Sequence, residues 1–73
     1  MTDIGISTEY ITLGQFLKLA GCIGTGGEVK HFLLEKKVMV NAEPDNRRGR
    51  KLRVGDQIEV EDCGIFTISN RTA

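Results

Sequence analysis

The segment NRRGRKLR, residues 46–53, places five cations in eight positions and forms the densest charge cluster in the chain. Like charges packed this closely need either good solvation or counter-anions around them. Arginine presents planar, bidentate hydrogen-bond donors that match the geometry of a phosphate group. We therefore expect this cluster to bind phosphate rather than only to keep the protein soluble. The cations that we assign to the candidate site are Arg47, Arg48, Arg50 and Lys51.

A glycine-dense stretch, residues 21–28, could supply a second set of phosphate contacts. Backbone amides at the start of a helix bind anions, and Thr25, Gly26 and Gly27 precede or open a predicted helix. The spacing matches neither the dinucleotide-binding fingerprint nor the nucleotide-binding P-loop. A tight turn that needs glycine for backbone reasons explains the stretch equally well. Both interpretations stay open at this point.

No arrangement of residues in the sequence is typical of catalysis or of a metal site. His31 is the single histidine, and nothing in its register resembles a nucleophile–base pair, so we expect it at the surface. Cys22 and Cys63 are too few for a disulfide framework and lack the paired spacing of zinc ligands. We expect them to be free, buried or half-buried thiols. The sequence thus predicts no catalytic residue, no metal and no cofactor.

Charge is unevenly distributed along the chain, although the formal net charge is zero. Residues 18–53 carry nine basic and four acidic side chains, whereas the segments on either side are acidic overall. This distribution predicts one electropositive face, to which Lys18 and Lys30 would add. The acidic pairs fall in predicted turns or on an exposed strand edge, where solvation explains them. These pairs are Glu43 with Asp45 and Glu61 with Asp62.

Two short amphipathic helices are predicted in the first half of the chain. Thr12 followed by Gln15 is typical of a capping box, and the apolar residues that follow predict a helix over residues 13–20. Thr25 is a plausible cap for a second helix over about residues 26–36. Its apolar stripe is expected to contain Val29, Phe32 and Leu33, broadened by Leu34.

The hydrophobic period changes from helical to strand-like after the second helix. Strands are predicted at residues 38–41, 57–61 and 65–68, with a turn at AEPDN and a short additional strand at residues 9–11. Ile58 and Val60 are expected to face the core. The predicted fold is α+β: two short N-terminal helices packed on a small, mostly antiparallel sheet.

Length and composition indicate one small folded domain. The chain has 73 residues, of which 40% are hydrophobic and 27% charged. We expect a single domain over residues 1–73 with a core from about residue 10 to residue 68. No apolar run approaches the roughly 20 residues that span a bilayer, and no secretory signal pattern is present. A cytoplasmic monomer without membrane association is the simplest expectation.

The order of residues across 16–60 resembles the S4 RNA-binding domain, in its free-standing, ribosome-associated form. The resemblance is carried by the glycine turn into Glu28–Val29–Lys30, the Val38–x–Val40–Asn41 strand, the basic loop and Val54–Gly55–Asp56. It implies an RNA-binding surface made by the helices and the loop that follows. On this chain the implied ligands are Thr25, Gly26, Gly27 and Lys30 together with Arg47, Arg48, Arg50 and Lys51.

The function expected from residues and resemblance together is non-enzymatic binding of structured RNA, with ribosomal RNA as the class that the resemblance implies. The few aromatic residues disfavour single-strand binding by base stacking. One alternative is a protein-interaction or assembly module whose basic face meets an acidic protein. Another is a subunit that works with an RNA-modifying enzyme in trans.

Overall fold

Two short helices pack against a five-stranded sheet in the computed structural model, which describes residues 2–24 and 26–71. The elements are β1 (Thr2–Ile6), β2 (Ile11–Thr12), α1 (Leu13–Leu19), α2 (Val29–Glu35), β3 (Val38–Val40), β4 (Glu43–Pro44), β5 (Lys51–Leu52), β6 (Gln57–Val60) and β7 (Gly64–Asn70). The sheet order is β1-β7-β6-β3-β4, and β2 pairs separately with β5. Only the β1–β7 pair is parallel in the described part. The predicted α+β class is confirmed.

Helix α1 begins as the sequence predicts, with a capping box. The N–H of Gln15 donates to Thr12 Oγ1 at 3.3 Å, and the N–H of Thr12 donates to Gln15 Oε1 at 3.1 Å. These two bonds satisfy amides that have no partner within the helix. The helix ends at Leu19 with Ala20 as its C-cap, and Gly21 follows with φ of +78°, a conformation that glycine adopts without a steric penalty.

Helix α2 is shorter than predicted. Its first turn is a 3-10 turn (Gly26–Glu28), and the α-helix runs only over Val29–Glu35. Glycine is a poor helix former, which accounts for the irregular start. Lys36 is already extended (φ −108°, ψ 143°), so Lys30 and Lys37 do not share a helix face. The predicted cap Thr25 lies outside the described residues. In residues 2–24 and 26–71, no helix has the length and apolarity needed to cross a membrane.

The strands extend beyond the predicted set in the middle and at both ends of the chain. Strand β4 (Glu43–Pro44) falls inside AEPDN, where only a turn was predicted, and β5 (Lys51–Leu52) falls inside the basic segment. Strand β7 runs over seven residues and pairs with β1, which the sequence did not predict. Only the last residue of β1, Ile6, is fully buried, so the strand shows no clear alternation of buried and exposed residues that would predict it. The short strand expected at residues 9–11 is found at Ile11–Thr12, paired with β5.

The core lies between the helices and the inner face of the sheet. Phe16 and Phe66 meet edge to face, with ring centroids 5.4 Å apart. Ile58 and Val60 point inward as predicted. Leu34 was predicted to broaden the apolar stripe of α2, but it lies outside the core and is 72% exposed. Val29 and Leu33 are buried on one side of α2 and Phe32 packs against the core beside them, whereas Leu34 lies on the opposite side of Leu33 around the helix.

The prediction of free thiols is wrong. Cys22, in the turn after α1, forms a disulfide with Cys63, in the turn between β6 and β7, and their Cα atoms are 5.9 Å apart. The two cysteines are 41 positions apart in the sequence. Their meeting depends on how the helices dock against the β6–β7 hairpin, and sequence spacing carries no information about that docking.

Candidate nucleic-acid interface

The basic segment, residues 46–53, is held against the start of α1 by its backbone. The N–H of Leu13 donates to the carbonyl of Arg50 at 2.8 Å, and the N–H of Gly14 donates to the carbonyl of Arg48 at 3.0 Å. The first amides of a helix have no partner within it, so two of them are satisfied here by the segment. Pairing of β2 with β5 extends the contact. The cations of residues 47–50 therefore lie on a loop whose backbone is anchored to α1, and Lys51 lies on strand β5.

At Gly14, helix α1 packs close to both α2 and the basic segment. A Cβ atom at Gly14 would lie 3.3 Å from Val29 Cγ1 and 3.5 Å from the carbonyl oxygen of Arg48. Any larger side chain would force these neighbours apart. The close packing brings Arg48 beside the first turn of α2, which carries Lys30.

Asp45 organises two of the arginines. Arg47 donates to both carboxylate oxygens from Nε and Nη2, at 3.1 and 2.9 Å, and also from its backbone N–H at 2.9 Å. Arg50 Nη1 donates to the same carboxylate at 2.8 Å. The Asp45 side chain is 7% exposed, whereas that of Arg47 is 69% exposed. Arg47 therefore keeps outward-facing donors while its orientation is fixed.

This arrangement shifts the titration of both partners. The hydrogen bonds from the Arg47 side chain hold the pKa of Asp45 well below its usual range, against the opposing effect of burial. The same carboxylate raises the pKa of Arg47, first through the side-chain hydrogen bond and then through charge attraction. With Asp45 ionised and both arginines protonated, the three side chains carry one net positive charge.

Two adjoining clefts run between α2 and the basic segment. The first, which we call the Leu34 cleft, has a volume of about 330 Å³ and is lined by Lys30, Leu33, Leu34, Asn46 and Arg48. The second, the Asp45 cleft, has a volume of about 500 Å³ and is lined by Leu33, Lys36, Lys37, Val38 and residues 43–47 and 50. Leu33 and Asn46 line both clefts. Cations that are far apart in sequence thus border one continuous concave surface.

Four of the predicted site residues border these clefts: Lys30, Arg47, Arg48 and Arg50. Lys51 lies elsewhere, with its Nζ 5.0 Å from the ring centroid of Tyr10, and Arg53 approaches the same ring at 5.6 Å. Such cation–π contacts occupy the face that Tyr10 could offer to a base.

The remaining predicted ligands lie outside both clefts or outside the described chain. Lys18 is exposed in the last turn of α1 and lines neither cleft. Gly26 and Gly27 form the 3-10 turn before α2. Thr25 falls outside the described residues. The sequence therefore predicted a larger set of ligands on one surface than the residues that line the two clefts.

Sequence reasoning missed the contribution of Asp45, which it treated as a solvated turn residue. The signal was present in the order Asp45-Asn46-Arg47, because an aspartate often accepts a hydrogen bond from the amide two residues ahead. It also missed Leu34 and Asn46 as surface residues of the cleft. His31 is exposed as predicted, and its Nε2 lies 3.1 Å from the carboxylate of Glu35.

Comparison with known proteins identifies a family and a similar protein. A family model described as S4 domain matches residues 4–68. A protein of Bacillus subtilis (strain 168), named "Probable ribosome maturation protein RlbA", is 63% identical over 67 residues. The alignment covers 92% of this chain and 94% of that protein. Both clefts described above lie within the matched residues.

Proposed function

Because the chain belongs to the S4 domain family, we propose that it is a non-enzymatic RNA-binding protein that docks structured RNA on the surface between α2 and the basic segment. Ribosomal RNA is the expected class, since the similar Bacillus protein is named for ribosome maturation. The protein acts as a monomer in the cytoplasm in this proposal. No cofactor or metal takes part.

The observation that carries the proposal is the position of Lys30 and Arg48 on opposite walls of one cleft. Neither side chain has a carboxylate within ion-pair distance among the described residues. Two cations that line one cleft without an acidic partner favour an anionic ligand there. The arginines ordered by Asp45 continue this surface and offer further donors to a phosphate backbone.

Binding would proceed by replacement of the counterions that surround the RNA backbone. The ligands at the clefts in this mechanism are Lys30, Arg47, Arg48 and Arg50, with the amides of Gly26 and Gly27 fixing the register. Lys18 and Lys51 would contact the RNA backbone beyond the clefts. If about five phosphates are neutralised, the logarithm of affinity falls with the logarithm of salt concentration at a slope of roughly −3.5 to −4.5. Contacts to bases are fewer in this mechanism, so shape should matter more than sequence.

A salt titration with matched charge variants tests the proposal. The probes are a fluorescein-labelled RNA hairpin, a single-stranded RNA of equal length and a DNA duplex, followed by fluorescence anisotropy. Arg48→Ala should weaken hairpin binding and make the salt slope shallower by about 0.7–0.9. Arg71→Ala is the matched control, because it also removes one arginine but at a distant position. Arg71 follows β7 and bonds to the end of β1, which is the sheet edge opposite β4.

A flat salt response, or equal losses for Arg48→Ala and Arg71→Ala, would contradict the proposal. The competing function, docking of an acidic protein, has a different signature. In that case a protein partner would stay associated after RNA digestion, and the RNA hairpin would not compete with it.

A further inference from the structure

The Leu34 cleft contains an apolar surface that phosphate binding does not explain. Leu34 is 72% exposed, the largest exposed fraction among the exposed large hydrophobic residues of the described chain. It lies four positions after Lys30 on α2, and neighbours at this spacing share one helix face. Leu33 is buried and forms the bottom of the cleft. An ammonium group therefore stands directly beside an apolar wall.

The opposite wall is polar and partly planar. Asn46 contributes a side-chain amide with both donor and acceptor atoms, and Arg48 contributes a planar guanidinium group. Both residues are exposed, and the backbone of Arg48 is held by the hydrogen bond that its carbonyl accepts from the N–H of Gly14. The cleft volume of about 330 Å³ leaves space between the two walls.

The chemistry of these walls matches one nucleotide. A nucleobase has two apolar faces, a hydrogen-bonding edge and an attached phosphate. Leucine packs against a base face, a guanidinium plane stacks on the other face, and an asparagine amide pairs with the edge. Lys30 stands where it could meet the phosphate. A base inside a continuous duplex presents no free face, so only an unpaired base could enter.

We propose that the Leu34 cleft holds one unpaired base of the bound RNA, with Leu34 and Arg48 on its two faces and Asn46 on its edge. The inference rests on the proposed function and narrows its substrate class to structured RNA with a bulged or looped-out nucleotide. Phosphate contacts would then supply salt-dependent affinity, and the cleft would select the site.

The test compares two synthetic RNA hairpins that differ only by one bulged 2-aminopurine nucleotide in the stem. Wild-type protein should bind the bulged hairpin on the order of tenfold more tightly at fixed salt, and 2-aminopurine fluorescence should change on binding. Leu34→Ala and Asn46→Ala should each lower this preference, measured as the ratio of the two hairpin affinities, by about threefold or more. Leu19→Ala is the matched control, since Leu19 is 57% exposed on α1.

The outcomes separate this inference from the proposed function. Equal, salt-dependent affinity for both hairpins would overturn the base cleft and leave RNA binding intact. Failure to bind either hairpin would overturn both. A third outcome involves an acidic peptide with a central phenylalanine. If this peptide displaces the bulged hairpin at a lower concentration than unlabelled bulged hairpin does, the cleft binds a protein ligand instead.

Discussion

The backbone N–H of Gly14 and the carbonyl of Arg48 are joined by a hydrogen bond of 3.0 Å, which ties the start of α1 to the basic segment. The contact is close because Gly14 has no side chain, and Val29 of α2 approaches the same position. Gly14 thus lets α1 pack closely against both α2 and the basic segment, the two elements that line the Leu34 cleft. Substitution at this position should disturb the fold and the candidate site together.

Gly14→Val should lower the free energy of unfolding by about 1–3 kcal/mol, because the added side chain would crowd buried Val29 and the Arg48 carbonyl. Urea denaturation followed by circular dichroism measures the change. Gly49→Val is the control, since no atom lies within 4 Å of a Cβ built at Gly49. Equal stability of the two variants would show that the three elements do not depend on this close contact.

Asp45→Asn should destabilise the protein by about 1.5–3 kcal/mol, because the carboxylate accepts charged hydrogen bonds from Arg47 and Arg50. The pKa of Asp45 is lowered in the folded protein, so its ionised form stabilises the fold at pH values above the ordinary aspartate pKa. That contribution is lost progressively as the pH falls through about 4 and below.

The measurement is the stability of wild-type and Asp45→Asn protein between pH 7 and pH 2. The difference in the free energy of unfolding should shrink as the pH falls, because protonation removes the negative charge of Asp45 from the wild type and the variant has no such charge. Glu43→Gln is the control, since Glu43 is exposed and forms no ion pair within the described residues. A pH-independent difference would show that the charge of Asp45 has no such role.

Local sequence signals predicted the elements well where the whole signal lay within a few residues. The capping box of Thr12 and Gln15, and the alternation of Ile58 and Val60, each depend only on neighbours in the chain. Strand β1 was not predicted because its pairing partner, β7, lies at the other end of the chain. Parallel pairing of this kind leaves no turn signal between the strands.

The candidate site was predicted by residue type and only partly by position. Lys30 and Arg48 border one cleft, but Lys51 is directed to Tyr10, because its strand β5 pairs with β2 beside that ring. The disulfide was missed for a related reason: contact between Cys22 and Cys63 requires the completed fold. The residue types identify candidate ligands, but which of these ligands lie together depends on long-range packing.

Ala42→Gly should stabilise the protein. Asn41 and Ala42 form a two-residue turn between β3 and β4, with φ values of +52° and +69°. Turns with two positive φ values favour asparagine followed by glycine. Glycine removes the steric cost that alanine has in the left-handed conformation, but it also has more freedom to lose when the chain folds. The net effect should raise the free energy of unfolding by about 0.5–1 kcal/mol.

Thermal and urea denaturation measure this gain. The matched control is Ala20→Gly, because Ala20 has a right-handed φ of −77° and gains nothing from glycine. The control should lose stability, while the turn variant gains it. If both variants lose stability, the turn conformation at Ala42 carries no strain that glycine relieves.

Reduction of the disulfide should weaken the attachment of α2 to the sheet. The turn after β6 contacts the chain on both sides of this helix: Cys63 bonds to Cys22 before it, and Asp62 pairs with Lys36 after it at 3.0 Å. Breaking a cross-link between residues 41 positions apart removes about 2–4 kcal/mol of stability in the chain-entropy view. A domain of this size has only a few kcal/mol in total, so the reduced protein should populate unfolded states.

Urea denaturation with and without dithiothreitol measures this loss, and a thiol assay on the native protein should find no free thiol before reduction. The variant with Cys22→Ser and Cys63→Ser is the control, because it should match the reduced wild type and show no response to dithiothreitol. RNA-hairpin binding should weaken in parallel, since Lys30 is carried by the helix that the disulfide helps to anchor. Unchanged stability and binding after complete reduction would mean that the core contacts of Val29, Phe32 and Leu33 hold the helix without the disulfide.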